Sequence, residues 1–228
     1  MTFSMPARIT TALALPLFLL TLAVPASSQE SSGYAKEGGY AAVSGQLGFK
    51  LDGVTFDGES MYKRVGAEEF LILPRLNGRN MFRGILGARW SKGALEFSYD
   101  RTQHQGTFLG ETSAVTFQAV NADARFFLLT KTRVQPYVLG GGSVPWLTIK
   151  DGSFFDGDLG NARYRGFGVN TEAGVTVFPH PRIGISGGYR YRVMWFDRAT
   201  GVSDKFGELR PRFRETSGSM VMGAHFTF

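Results

Sequence analysis

The chain has 228 residues and carries 25 Lys and Arg against 19 Asp and Glu, a formal charge of +6. It contains no Cys, which excludes disulfides, a thiol nucleophile and any thiolate metal site. Aromatic residues make up 14% and Gly numbers 30, a mixture that suits strands joined by turns better than helices.

The first segment stands apart. Arg8 precedes an apolar run from about Thr11 to Val24, followed by small residues. The run is shorter than the roughly 20 residues a spanning helix needs. Residues 1–28 therefore read as a secretory signal peptide rather than a membrane anchor, with cleavage after Ala26 or Ser28. Residues 29–228 read as one domain.

Beyond the leader, period-2 alternation recurs in eight runs. In the first, Ala41, Val43, Leu47, Phe49 and Leu51 share a face opposite Tyr40, Ser44, Gln46 and Lys50. The second sets Phe82, Leu86, Ala88 and Trp90 against Arg83 and Arg89. The third sets Leu95, Phe97 and Tyr99 against Glu96, Ser98 and Asp100, and the fourth sets Val120, Ala122, Ala124, Phe126 and Leu128 against Asn121, Asp123 and Arg125. The fifth, from Thr132 to Ile149, has ambiguous faces, because Pro136, Pro145 and three glycines signal bulges or a bend. The sixth sets Phe167, Val169, Thr171, Ala173, Val175 and Val177 against Asn170, Glu172 and Thr176. The seventh opposes Ile183, Ile185, Tyr189, Tyr191, Val193 and Trp195 to Ser186, Arg190 and Arg192. The eighth ends the sequence, with Met220, Met222, Ala224, Phe226 and Phe228 in phase.

Connections alternate in length. Long ones fall at 52–79, 101–113, 150–162 and 197–215; short ones fall at 91–93, 130–132 and 179–181. Short turns at one end and long loops at the other are the layout of an eight-stranded antiparallel up-and-down transmembrane β-barrel, all-β, with both termini on the periplasmic side. Alternation alone fits equally a soluble barrel whose apolar face points inward. The leader, the loop asymmetry and the aromatic end favour the membrane form, in which the apolar face meets lipid and the charges line the lumen. Trp90, Tyr99, Tyr189, Tyr191 and Trp195 are then candidates for interfacial girdles.

Residues 134–143, 166–178, 188–192 and 225–228 give the sequence a resemblance to the small outer-membrane β-barrel family that includes the OmpA barrel, OmpX, OmpW and opacity-like porin-family proteins. The resemblance implies a cell outer-membrane location in a Gram-negative bacterium. It also implies that Phe226 and Phe228 form the signal read by the barrel assembly machinery.

An eight-stranded barrel is just wide enough to be filled by side chains, and isolated buried charge is very costly. Arg83, Arg89, Glu96, Asp100, Asp123, Arg125, Glu172, Arg190 and Arg192 are expected to form a lumen charge network. Glu172 is expected to meet Arg190 or Arg192, with Asp123 and Arg125 in a second cluster. His104, His180 and His225 share no metal spacing, so no metal and no cofactor are expected, and no nucleophile and base are placed for an enzyme. Arg210, Arg212 and Arg214 alternate in phase with Met220 and Met222 and form a candidate contact to lipopolysaccharide phosphate. The basic charges are spread rather than gathered, which argues against nucleic acid. The expected function is a structural or surface-interaction role through four external loops, with an external partner reached by the loops. The alternatives are a narrow porin-like channel for ions or small solutes and a soluble periplasmic ligand-binding barrel.

Overall fold

The computed structural model describes residues 33–51, 54–55, 62–65, 68–71, 76–108, 111–149, 162–200 and 213–228. The segment read as a leader, 1–28, lies outside them. The strands are β1 (Gly38–Leu51), β2 (Val54–Thr55), β3 (Tyr62–Val65), β4 (Glu68–Leu71), β5 (Leu76–Trp90), β6 (Gly93–Phe108), β7 (Glu111–Phe127), β8 (Val134–Ile149), β9 (Ala162–His180), β10 (Ile183–Thr200) and β11 (Phe213–Thr227).

Each long strand pairs antiparallel with its neighbour in the order β1-β5-β6-β7-β8-β9-β10-β11, and β11 pairs back onto β1. The eight strands therefore close, and no long strand is left with an open edge, the arrangement a strand needs in a solvent that offers no hydrogen bonds. Closure is continuous from Tyr40 opposite Thr227 to Leu47 opposite Met220, and the Phe228 amide adds a bond to the Gly39 carbonyl at 3.0 Å. The aromatic chain end is thus held on the first strand. β3 and β4 form a separate hairpin, and β2 pairs with the start of β11.

Side-chain parity follows the strands. Leu86 is 65% exposed while its neighbour Ile85 is 8% exposed; Met222 is 62% exposed and Val221 4%. Leu95, Phe97, Phe126, Val138, Val169, Ile185 and Phe226 also face outward. On β9 the outward apolar residues run from Val177 to Phe167. At about 3.3 Å per residue and a tilt near 40°, they span about 25 Å, the height of an outer-membrane apolar band.

Three expectations need correction. Phe49 is not on the outer face with Leu47: it is fully buried. Gly48 adopts φ +75° and the β1–β5 register shifts between Gln46 and Phe49, so a bulge inserts one residue and reverses the phase beyond it. Residues 101–113 are not a long loop, since β6 and β7 stay paired out to Phe108 opposite Glu111; His104 lies within that ladder. The ambiguous fifth run is a single strand, β8. It directs Gln135, Tyr137, Leu139, Ser143 and Leu147 inward, and its glycines are read by face rather than as breaks.

Those glycines and their partners set how close strands and lumen groups approach. A Cβ at Gly174 would lie 2.7 Å from the Tyr137 hydroxyl and 2.8 Å from Gly188 Cα, whereas outward-facing Gly140 has open space. Gly174→Ala is expected to destabilise the barrel by about 1–3 kcal/mol through overpacking, and Gly140→Ala to change it by less than about 0.5 kcal/mol. Urea unfolding of the two variants in lipid vesicles checks the contrast.

Candidate functional site

The inward side chains form a stack of three levels along the barrel axis. At the end with short turns, β5 delivers Arg89, β7 Phe127, β8 Gln135, β9 Phe178 and β11 His225. The Arg89 guanidinium lies 3.8 Å over the Phe127 ring and 5.0 Å from that of Phe178, and it donates to Gln135 Oε1 at 2.6 Å. His225 sits 5.3 Å from the rings of both Tyr40 and Phe178. Below this level residues 33–37 run across the turns. The Tyr34 amide donates to the Thr130 carbonyl and the Lys36 amide to that of Pro181, each at 2.8 Å, and Ala35 between them is buried.

The middle level holds the charges. Arg83 contacts Asp123 at 2.7 Å, Asp100 at 3.4 Å and Glu172 at 3.5 Å. Arg190 contacts Asp123 at 2.9 Å and Glu172 at 3.2 Å. Arg125 lies 2.8 Å from Glu96 and 3.9 Å from Glu172, and Arg192 pairs with Asp100. All eight are buried. Four guanidiniums thus face four carboxylates in one connected network, with no net charge among them. The division into two clusters is not seen: Glu172 meets Arg190 and not Arg192, and Asp123 and Arg125 join the same network through different partners. The reason is geometric. Arg83 on β5 reaches Asp123 two strands away on β7 and Glu172 across the lumen on β9, so contacts across the closed ring join the neighbouring-strand pairs Arg83–Asp100, Arg125–Glu96 and Arg190–Glu172 into one network.

Neutral groups extend the network. Tyr40 donates to Glu96 at 2.6 Å and Tyr137 to Glu172 at 2.7 Å. Asn170 donates to Asp123 at 3.0 Å and accepts from Arg192 at 3.0 Å, and Ser98 accepts from Arg83 at 2.9 Å. Reading charges alone misses these groups. Tyr40, Ser98 and Asn170 carry the inward parity of their strands, while the parity of Tyr137 was hidden by the ambiguous fifth run. Gly141 opposite Asp123 belongs here too: a Cβ would collide with the Asp123 carboxylate.

Towards the long-loop end the lumen becomes mainly apolar: Phe49, Met81, Val115, Phe117, Leu147, Met194 and Phe196 are all buried, with Gln46, Thr102 and the Glu215 carboxylate buried among them. Phe49 and Phe117 rings lie 5.0 Å apart, and the Arg192 guanidinium sits 5.9 Å from the Phe117 ring, joining the two levels.

Of the other candidate residues, Arg210 and Arg212 lie outside the described residues, and the side chain of Lys50 is likewise undescribed. Arg214 is exposed on the outer face of β11, opposite Trp195. Phe226 and Phe228 are exposed on the same face at the other end. The His180 ring accepts from the Arg182 amide at 3.2 Å.

Residues 12–210 match the outer membrane protein beta-barrel domain. The chain belongs to that family. Membership gives an outer-membrane location and supplies the solvent for the outward apolar belt. Among solved structures, Neisserial surface protein A matches with a TM-score of 0.55 and 15% identity over 84% of this chain and 100% of that one. OprG from Pseudomonas aeruginosa matches at 0.50 and 13%, over 85% and 97%. AlkL, solved in lipid bilayers, matches at 0.50 and 16%, over 88% and 94%. At these identities the likeness concerns the fold. No curated protein matches the sequence.

Removing one member of a buried charge network strands its partners at a cost of about 3–5 kcal/mol, whereas replacing a whole pair by apolar groups is often neutral. Asp123→Ala, which leaves Arg83 and Arg190 short of an anion, is expected to lose about 3–5 kcal/mol. Replacing Asp100 and Arg192 together by Leu and Met is expected to cost less than the Asp123 change. Equilibrium unfolding in vesicles measures both.

Proposed function

We propose that this family member is a closed outer-membrane anchor that holds external loops for surface interactions, rather than an open pore. The single observation behind this reading is the charge-balanced middle level, whose eight ionic groups are all buried and paired with one another. The mainly apolar, tightly filled level above it and the Ala35 segment beneath it act in the same direction. An ion crossing such a lumen would have to separate several buried pairs at once, each costly to break. In this reading residues 1–28 direct export, Phe226 and Phe228 serve barrel assembly, and the loops carry the interaction with an external partner.

The refolded protein in planar bilayers is expected to give no discrete conductance steps in concentrated KCl. Steps that vanish on Glu172→Gln or Arg190→Gln would replace the anchor with the narrow channel. Such a channel would draw on the fact that Arg83 and Arg190 share Asp123 and Glu172, so their pairings have somewhere to exchange.

A further inference from the structure

Above the apolar belt the outer surface carries arginines whose placement the lumen does not explain. On β10 the even-numbered residues Arg190, Arg192, Met194 and Phe196 all point inward and are buried. Strict alternation would send Arg198 inward after them. Instead the β9–β10 register shifts between Phe196 and Arg198; Asp197 is the extra residue, and Arg198 emerges exposed on the outer face. Bulges of this kind re-aim side chains. The residue that Arg198 is re-aimed onto is Arg165, its direct partner on β9, also exposed.

Two like charges directly opposite on one face of a sheet destabilise it, with Cβ atoms only about 4.5–5.5 Å apart. Arg214 adds a third exposed cation one strand further on, beside Trp195. Among the described residues no carboxylate forms an ion pair with any of the three; exposed Asp197 in the bulge is the acid nearest to Arg198 in sequence. Next to Arg165 and Arg198 on the belt side, and in the same ladder row as Arg214, the Phe167 and Trp195 rings stack, centroids 5.1 Å apart and planes at 19°. Phe167 is the last apolar residue of the belt on β9, and Arg165 is the next outward residue, at headgroup height.

We propose that Arg165, Arg198 and Arg214 clamp the phosphate of a phosphorylated glycolipid in the outer leaflet, whose acyl chains lie along the Phe167–Trp195 face. The inference rests on the outer-membrane location and is independent of whether the lumen conducts. An anion between Arg165 and Arg198 turns their repulsion into two charge-assisted, fork-shaped contacts. An aromatic pair at the boundary between headgroup and chain suits a lipid and offers nothing to free phosphate.

The test uses the full chain folded in phosphatidylcholine nanodiscs doped with lipid A bisphosphate or with its dephosphorylated form. Lipid retained through size-exclusion chromatography is quantified by mass spectrometry. The wild-type protein is expected to retain the bisphosphate, and R165Q/R198Q about tenfold less, the loss of two solvent-exposed charge pairs. R101Q, an exposed arginine far round the ring on β6, is expected to retain the wild-type amount, as is the wild type in the presence of excess inorganic phosphate. Slower migration after boiling on SDS gels checks that each variant is folded; if R165Q/R198Q does not fold, R214Q is the variant read. Equal retention by wild type and a folded clamp variant, equal retention of the dephosphorylated lipid, or displacement by inorganic phosphate would each overturn the proposal.

Discussion

The hydrocarbon interior of a membrane accepts neither an unpaired backbone group nor an unpaired charge. Everything else in this molecule follows from meeting both demands with one ring of strands. Closing β11 onto β1 pairs the backbone, and once the ring is closed there are only two sides for a side chain to occupy. A single arginine turned toward mid-bilayer lipid costs about 2–4 kcal/mol, and a one-residue slip moves every side chain of a strand to the wrong side. The register is therefore held by the sum of many small penalties rather than by any one contact.

Sending the charges inward creates a second problem, since the interior of an eight-stranded barrel is narrow. The chain meets it by matching four guanidiniums with four carboxylates and by adding hydrogen bonds from Tyr40, Tyr137 and Asn170 and to Ser98. Arg89 lies outside this balance and is accommodated differently, on aromatic faces and the Gln135 amide. The glycines at 141 and 174 belong to the same solution, because they leave room for Asp123 and Tyr137 where any larger residue would push them out.

Much of this could be read from the sequence, because a period of two survives wherever a strand is regular. β5, β6, β7, β9, β10 and β11 each show their outward set in the spacing of Leu, Val, Phe, Ile and Met. What could not be read was every place where the backbone departs from that period. The bulge at Gly48 reverses Phe49, and the bulge at Asp197 reverses Arg198; glycine is compatible with a bulge, but Gly45 in the same strand pairs without one, and Asp carries no such signal. The extent of β6 and β7 was hidden because their outer ends carry polar residues such as Gln103, Gln105 and Thr112, which look like loop yet continue the ladder past the belt. The partners within the lumen were out of reach for a different reason. They depend on the stagger between strands around the ring, which brings Arg83 to Glu172 across 89 positions of sequence, and no local pattern encodes that distance.

The arrangement of faces is most directly tested by solid-state NMR of the protein in lipid bilayers, reading magnetisation transfer from acyl-chain protons to chosen side chains of like chemistry and opposite parity. Transfer is expected to Leu86, Val138, Ile185 and Met222, and not to Ile85, Leu139 or Val221. Acyl-chain transfer to Ile85, Leu139 and Val221, with Leu86, Val138 and Ile185 silent, would contradict the account at its foundation.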